Sequence, residues 1–98
     1  MKFEFDPAKS KTNAVKHGID FVAAQELWRD ENRGVLPSAN RSEPRFLLLA
    51  MRAGKLWVAI YTVRGENIRL ISVRRARESE QAVYEQNQKQ NQDDGGES

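Results

Sequence analysis

The main evidence for the fold lies in residues 45–74, RFLLLAMRAGKLWVAIYTVRGENIRLISVR. This stretch contains three runs rich in β-branched and aromatic residues, separated by Ala53-Gly54 and Gly65-Glu66. Such runs predict strands, and a two-residue connection with glycine in its first central position, as at Gly65, is typical of a β-hairpin. We therefore predict three consecutive antiparallel strands, which are Arg45–Arg52, Lys55–Arg64 and Asn67–Arg74.

The residues before this stretch predict a short strand and two helices. The strand is Lys2–Phe5, in which polar and apolar side chains alternate, and Asp6-Pro7 ends it. Asp6 is a good N-cap, proline suits the first helical turn, and glycine is expected just past a helix end. The predicted elements are a helix over Ala8–Lys16 closed by His17-Gly18, a helix over Phe21–Arg29 capped by Asp20, a short strand at Val35-Leu36 and a loop over Pro37–Pro44.

The residues after the stretch predict one more helix and a tail. The helix begins around Arg77, and Gln86–Ser98 are polar, low in complexity and glycine-ended. Such a segment has little to bury, so we expect residues 85–98 to form a disordered tail or a frayed helix end. Residues 1–84 then form one α+β domain of order β-α-α-β-β-β-β-α, an antiparallel sheet with two N-terminal helices on one face and a C-terminal helix.

The charge of the chain is unevenly distributed. Residues 1–40 hold six basic and six acidic side chains, residues 41–77 hold nine against two, and residues 78–98 hold one against six. The three net charges are therefore 0, +7 and −5, which sum to +2. A basic block of this kind predicts a surface that binds a polyanion, followed by an acidic, solvated end.

Composition excludes several classes of site. The absence of cysteine excludes disulfides and thiolate metal sites, and a single histidine argues against structural zinc, so we predict no metal and no cofactor. No signal peptide is visible, and the longest apolar run, Phe46–Met51, is too short to span a bilayer. We therefore expect a cytoplasmic protein without a membrane partner.

Four motifs along the chain resemble those of the BrnT family. They occur in the family's order and spacing and together cover roughly residues 2–84. The motifs are Phe3-Glu4-Phe5-Asp6-Pro7-x-Lys9, Asn13-x-x-Lys16-His17-Gly18-Ile19-x-Phe21, Tyr61-Thr62-x-Arg64-Gly65, and Ile68-Arg69-x-Ile71-Ser72-x-Arg74-Arg75-Ala76.

The resemblance implies a RelE-like fold and a toxin of a type II toxin–antitoxin system. It implies a metal-independent endoribonuclease that cleaves RNA and inhibits growth. The implied partner is a BrnA-like antitoxin with a ribbon-helix-helix domain. The two proteins would form a heterotetramer, contact operator DNA only through the antitoxin, and repress their own operon.

Metal-independent RNA cleavage requires three kinds of group. The 2′-hydroxyl attacks the phosphorus, so a base must accept one proton and an acid must supply another to the leaving 5′-oxygen. Arginine suits the charged phosphorane because its planar fork binds phosphate bidentately, and histidine suits proton transfer because imidazole titrates near neutral pH. The predicted catalytic residues are His17, Tyr61, Arg64 and Arg74, and the predicted RNA-binding residues are Lys16, Arg45, Arg69 and Arg75.

Structural roles stay open for some of these residues. His17 can instead bind the last carbonyl groups of the first helix, and any one arginine can be an edge-strand charge that discourages aggregation. For the five arginines between residues 64 and 77 together, the functional interpretation is favoured because Glu66 is the single acid among them.

The register of the last hairpin decides which arginines share a face. A two-residue turn puts Arg64, Thr62 and Arg69 on one face of the sheet. It then puts Trp57, Tyr61 and Arg74 on the opposite face. A three-residue turn instead puts Arg64 on the face of Arg74. The sequence leaves both registers open.

Three functions are consistent with these features. The first is the endoribonuclease toxin. The second is a module that binds nucleic acid without cutting it, because phosphate affinity needs only lysine and arginine. The third is an antitoxin-binding module whose basic face exists for an acidic partner and which acts in operon autoregulation. The motifs favour the first.

Overall fold

A computed structural model describes residues 2–38 and 43–96, with side chains described as far as residue 88. Its elements are β1 (Lys2–Glu4), α1 (Pro7–His17), α2 (Phe21–Ala24), a 3₁₀ helix (Gln25–Arg29), β2 (Gly34–Pro37), β3 (Phe46–Arg52), β4 (Lys55–Arg64), β5 (Asn67–Arg75) and α3 (Glu78–Gly96). The predicted α+β class and element order are confirmed. The middle of the predicted loop, residues 39–42, and residues 97–98 of the predicted tail lie outside the described residues.

The five strands form one sheet in the order β1-β5-β4-β3-β2. Strands β2 to β5 pair antiparallel, as predicted, and β1 is the exception. It pairs in parallel with β5, with Phe3 opposite Ile68. Parallel neighbours cannot be joined by a hairpin, and here both early helices and three strands lie between them in the chain.

Short-range signals fix the ends of the first two helices. The Asp6 carboxylate accepts a hydrogen bond from the Ala8 N–H at 2.9 Å, and Asp20 caps α2 through the Ala23 N–H at 2.8 Å. Gly18 closes α1 with a left-handed φ of 79°, and its N–H donates to the Ala14 carbonyl at 2.9 Å. The second predicted helix is helical throughout, but it tightens to 3₁₀ geometry after Ala24.

Apolar side chains are buried on both sides of the sheet. On the side of α2, Phe21 and Leu27 pack against residues such as Leu48 and Ala59. On the opposite side, a smaller cluster contains Leu49, Leu56, Val58 and, from α3, Tyr84. The early helices therefore cover the larger core on one side of the sheet, and α3 covers the smaller cluster on the other side.

Strand β5 contains one more residue than β4 over the length that the two strands share. Tyr61 is opposite Leu70, whereas Ile60 is opposite Ser72, so Ile71 forms a β-bulge. A bulge leaves its extra residue unpaired and bends the strand. It also reverses the alternation of β5 from Ser72 onward relative to an unbroken strand.

Polar contacts hold α3 across the edge of the sheet. The Tyr84 hydroxyl donates to Asp30 Oδ2 at 2.6 Å, and Asn87 Nδ2 donates to the Asn32 carbonyl at 3.0 Å. The packed part of α3 therefore reaches residue 87, and the role of residues 85–98 as a tail stays a prediction. No helix in the described part of the chain is long and apolar enough to cross a membrane.

Candidate nucleic-acid interface

Three arginines of β4 and β5 share one side of the sheet, which we call the arginine face. Thr62 and Arg64 alternate along β4, and Thr62 is directly opposite Arg69. Arg74 is opposite Val58, which lies on the same side of β4 as Thr62. The turn contains two residues, because Arg64 pairs with Asn67, so the predicted grouping of Arg64, Thr62 and Arg69 is confirmed.

The predicted position of Arg74 is wrong. The two-residue turn was expected to place it on the opposite side, with Trp57 and Tyr61. Residues five apart in an unbroken strand project to opposite sides, but the bulge at Ile71 adds one residue between Arg69 and Arg74. The bulge, not the length of the turn, therefore brings Arg64 and Arg74 onto one face.

Half-buried apolar side chains occupy the middle of the arginine face. Leu47 is opposite Ile60, and Ile60 is opposite Ser72. Leu47 and Ile60 pack against the cluster under α3 but remain partly exposed. The accessible part of the face is therefore an apolar strip with arginines on both sides of it.

Each arginine of this face meets a carboxylate from elsewhere in the chain. Arg64 lies 3.4 Å from Glu43, and Arg69 lies 3.4 Å from Glu4. Both pairs are long and about one third or more exposed, so each contributes little to stability and a phosphate can displace the carboxylate at small cost. The comparison of the five arginines at residues 64–77 with Glu66 alone overestimated the local excess of positive charge, because Glu4 and Glu43 lie outside that stretch.

Arg74 and Glu80 form a much tighter pair. Arg74 Nη1 and Nη2 donate to the two carboxylate oxygens of Glu80 at 2.8 and 2.7 Å, and their side chains are only 18% and 11% exposed. The hydrogen bonds from Arg74 hold the pKa of Glu80 below its usual range, and Glu80 raises the pKa of Arg74. Arg74 Nη1 also donates to the Arg75 carbonyl at 3.2 Å. A guanidinium has five N–H groups, and no described residue accepts from Nε or from the second N–H of Nη2, so this edge offers two donors for a phosphate.

A sequence model described as "Ribonuclease toxin, BrnT, of type II toxin-antitoxin system" matches residues 5–80. This span is well over half of the chain and contains every arginine of the face. The chain belongs to the BrnT family. No protein of curated function matches the chain significantly. A type II toxin has a cognate antitoxin, so this BrnT-family chain has an antitoxin as its partner.

Two of the predicted site residues of this BrnT chain lie on the side of α2, opposite the arginine face. Arg75 is exposed, and its guanidinium lies 5.5 Å from the centre of the Trp57 ring. Tyr61 is 7% exposed, and its ring contacts Trp28 and Phe46 at centroid distances of 5.3 and 5.5 Å. Burial raises the pKa of Tyr61, so its phenol stays protonated. This placement favours packing as the role of Tyr61.

Changing Tyr61 to phenylalanine is therefore expected to leave RNA cleavage within about twofold of the unmodified chain. The variant keeps the ring that packs against Trp28 and removes only the hydroxyl. A catalytic acid or base contributes on the order of 100-fold or more to rate, so initial cleavage rates separate the two roles. A loss of that size, with the melting temperature unchanged, would restore Tyr61 to the catalytic set.

The remaining predicted residues lie near the edges of the sheet. Arg45 directly precedes β3, beside Thr62, whose hydroxyl donates to the Pro44 carbonyl at 2.6 Å. The Nε atom of Arg45 is buried and meets no hydrogen-bond acceptor among the described residues. Lys16 and His17 are exposed in the last turn of α1, and no contact within the described part of the chain joins His17 to an arginine.

Sequence reasoning missed two polar residues that support the site. Buried Asn13 donates from Nδ2 to the carbonyls of Ile19 and Val73 at 2.7 and 2.9 Å, and its Oδ1 accepts from the Val73 N–H at 3.1 Å. Glu80 Oε1 also accepts from the Arg77 N–H at 2.7 Å, at the start of α3. A Glu three residues after a helix start was a usable signal, because this residue commonly reaches back to the capping N–H. For Asn13, the signal was the second BrnT-like motif, which begins at Asn13, but the motif alone does not give the physical reason for an asparagine there.

Proposed function

We propose that this BrnT-family chain is a metal-independent endoribonuclease that cleaves RNA at the arginine face. The observation that carries the proposal is the β-bulge at Ile71, which brings Arg69 and Arg74 to one side of the sheet. Bulges are common beside active sites, where they redirect a side chain. A regular strand would divide these two cations between the faces.

The chemistry assigns separate tasks to the arginines. Attack of the 2′-oxygen on phosphorus, with departure of the 5′-oxygen, passes through a phosphorane with two negative charges. The donor edge of Arg74 and the loosely paired Arg69 would bind its oxygens, and Arg64 and Arg45 would hold neighbouring phosphates. The products are a 2′,3′-cyclic phosphate and a 5′-hydroxyl.

Proton transfer is assigned to His17 rather than Tyr61. A base has to reach the RNA, and His17 is exposed whereas the Tyr61 side chain is buried on the side of α2. His17 follows Lys16, which lines a groove beside the edge of β5 next to Ser72. The imidazole would accept the 2′-hydroxyl proton or supply one to the leaving oxygen.

The antitoxin of this proposal is a BrnA-like ribbon-helix-helix protein. Two toxins and two antitoxins would form a heterotetramer that reaches operator DNA through the antitoxin alone. The apolar strip of Leu47 and Ile60 with arginines around it suits a segment that carries both apolar and acidic side chains. Such a segment would compete directly with RNA.

One observation favours binding without cleavage as a second candidate. Among the described residues, the one carboxylate held tightly beside the arginine face is Glu80, and the hydrogen bonds from Arg74 that lower the pKa of Glu80 make it a weaker base. If His17 does not reach the RNA, the face would bind phosphates and leave the strand intact.

The purified chain, incubated with RNA in excess chelator, is expected to produce fragments that end in 2′,3′-cyclic phosphate. Arg69→Ala is expected to lower the cleavage rate by roughly 100-fold, as removal of one preorganised donor does in other active sites. Lys55→Ala removes an equal charge at the exposed β3–β4 turn and is expected to stay within about twofold of the unmodified chain.

Three results would contradict the proposal in different ways. RNA that migrates more slowly with the protein in a native gel but stays intact would establish binding without cleavage. Cleavage that requires a divalent ion, or that leaves 3′-hydroxyl ends, would exclude attack by the 2′-hydroxyl. Equal activity of Arg69→Ala and Lys55→Ala, with both variants folded by circular dichroism, would move the site away from the arginine face.

A further inference from the structure

A basic groove lies between α1 and the outer edge of β5. It is lined by Lys9, Thr12 and Lys16 from one stripe of α1 and by Ile71 and Ser72 from the bulge of β5. The two lysines are seven residues apart, so their positions differ by about 20° around the helix and by about 10 Å along its axis. Both lysines therefore border the same groove, one at each end.

No ion pair among the described residues neutralises the charge of this groove. Helix α1 contains Lys9, Lys11 and Lys16 but no acidic residue. Both groove lysines are exposed, and neither forms an ion pair with the described residues. This differs from the arginine face, where a carboxylate accompanies each of the three arginines.

The groove and the arginine face meet at the bulge. Ser72 lies opposite Ile60 on the arginine face and also lines the groove. Asn13 fixes the wall of the groove, because its side chain bonds both backbone groups of Val73, the next residue along β5. An RNA strand that crosses the edge of β5 at Ser72 therefore passes from the arginine face into the groove. It meets no acidic side chain of α1 on this path.

We propose that this groove is a second phosphate-binding subsite, which holds the RNA backbone on one side of the bond that is cut. The inference rests on the proposed ribonuclease function, and it names a binding contribution separate from the arginine face. Lysine suits such a role, because its ammonium is a mobile point charge that meets phosphates without requiring a fixed geometry. The subsite would position the backbone and would not read the base sequence.

The test uses single-stranded RNA with 2′-O-methyl groups at every position, which cannot be cleaved by 2′-hydroxyl attack. Its dissociation constant is measured from about 0.1 to 1 M salt. Lys9→Ala/Lys16→Ala is expected to reduce the slope of log affinity against log salt by about 1.4, since each phosphate contact to a single strand contributes about 0.7. If the variant and the unmodified chain bind equally at 1 M salt, this change in slope makes the variant bind roughly 25-fold more weakly at 0.1 M salt.

A matched control carries the same loss of charge at positions outside the groove. Lys11→Ala/Lys55→Ala removes two exposed lysines, and Lys11 lies about 200° around α1 from Lys9. The control is expected to retain most of the slope and affinity. On cleavable RNA, the groove variant is expected to raise KM and to leave kcat within about twofold, because its contacts are equal in the ground and transition states.

Equal slopes for the two double variants would overturn the subsite. A fall in kcat as large as the rise in KM would also overturn it as a binding subsite, since the lysines would then act on the reaction itself. If the unmodified chain binds the methylated RNA but cuts no RNA, the ribonuclease proposal fails. The salt slopes of the two double variants then still show whether the groove binds phosphates. If it binds no RNA, both proposals fall.

Discussion

Replacing Asn13 with alanine is expected to lower the free energy of unfolding by about 3 kcal/mol, with a melting temperature lower by roughly 15 °C. The side chain is 6% exposed and satisfies three buried backbone groups, the carbonyls of Ile19 and Val73 and the N–H of Val73. Alanine removes all three partners at once, and each buried group without a partner costs about 1–3 kcal/mol. Denaturant unfolding at constant m-value measures the loss.

The neighbouring residue supplies the control for this prediction. Thr12 is exposed, and its hydroxyl bond to the Ala8 carbonyl at 3.1 Å lies on the surface of α1. Thr12→Ala is expected to change stability by less than about 0.5 kcal/mol. A loss below about 1 kcal/mol for Asn13→Ala would mean that water or a shift of α1 replaces these bonds, and the assigned role of Asn13 would then be incorrect.

The role of Asn13 gives a physical reason for part of a family motif. In the stretch from Asn13 to Phe21, Asn13 bonds the Ile19 carbonyl, and the Phe21 N–H donates to Ser10 Oγ at 2.9 Å. Ile19 and Phe21 are buried in the main core. These bonds fix the turn between α1 and α2 and attach it to β5, so this part of the motif maintains the wall beside the candidate site.

Features set by neighbouring residues could be predicted from the sequence. Asp6 and Gly18 identify the ends of α1 because capping involves residues only two to four positions apart. The hairpin turn at Gly65 is equally local, and its positive φ of 62° requires a residue such as glycine. The two-residue period of a strand then separated the two sides of β4.

Features set by distant residues could not be predicted in the same way. The bulge at Ile71 is invisible in the sequence, because NIRLISVRR is as rich in strand-forming residues as an unbroken strand would be. The parallel pairing of β1 with β5 joins residues more than 60 positions apart. Glu43 and Glu4, the partners of Arg64 and Arg69, also lie far from them in the chain, so a charge count found the arginines but did not show which carboxylates pair with them.

Changing Glu80 to glutamine is expected to lower the free energy of unfolding at pH 7 by about 2–3 kcal/mol. The pair with Arg74 is bidentate and mostly buried, and removal of one partner leaves a buried guanidinium without its counter-charge. Breaking a fully buried pair costs about 3–5 kcal/mol. The expected loss is smaller here, because both side chains retain some contact with solvent. Glutamine is close in shape, so the packing of α3 is preserved.

Glu78→Gln is the matched control, because it removes the same charge from the first turn of the same helix. Glu78 is exposed and forms no ion pair with the described residues. Its substitution is expected to cost less than about 0.5 kcal/mol, which is the size of an exposed helix-terminus effect. Equal losses for the two variants would show that helix charge, not the contact with Arg74, accounts for the effect.

Acid is expected to remove the difference between the unmodified chain and Glu80→Gln. The hydrogen bonds from Arg74 and from the Arg77 N–H hold the pKa of Glu80 in the folded chain below its usual range. A carboxylate with a lowered folded pKa stabilises the fold above its unfolded pKa, and this contribution is lost as pH falls through the folded value. The two unfolding free energies should therefore stay apart from pH 7 to about 5 and converge below about 4.

The comparison with Glu80→Gln separates the effect of Glu80 on the pH dependence from that of Asp30, the other carboxylate that holds α3. Burial opposes ionisation of Asp30, but bonds from the Tyr84 hydroxyl and the Met51 N–H outweigh it and lower its pKa, so acid weakens this contact too. Asp30 is present in both chains, and its contribution cancels in their difference. A difference that stays constant down to pH 3 would contradict the ion pair as the cause. A convergent difference would establish that α3 is attached beside Arg74 by a contact that requires ionised Glu80.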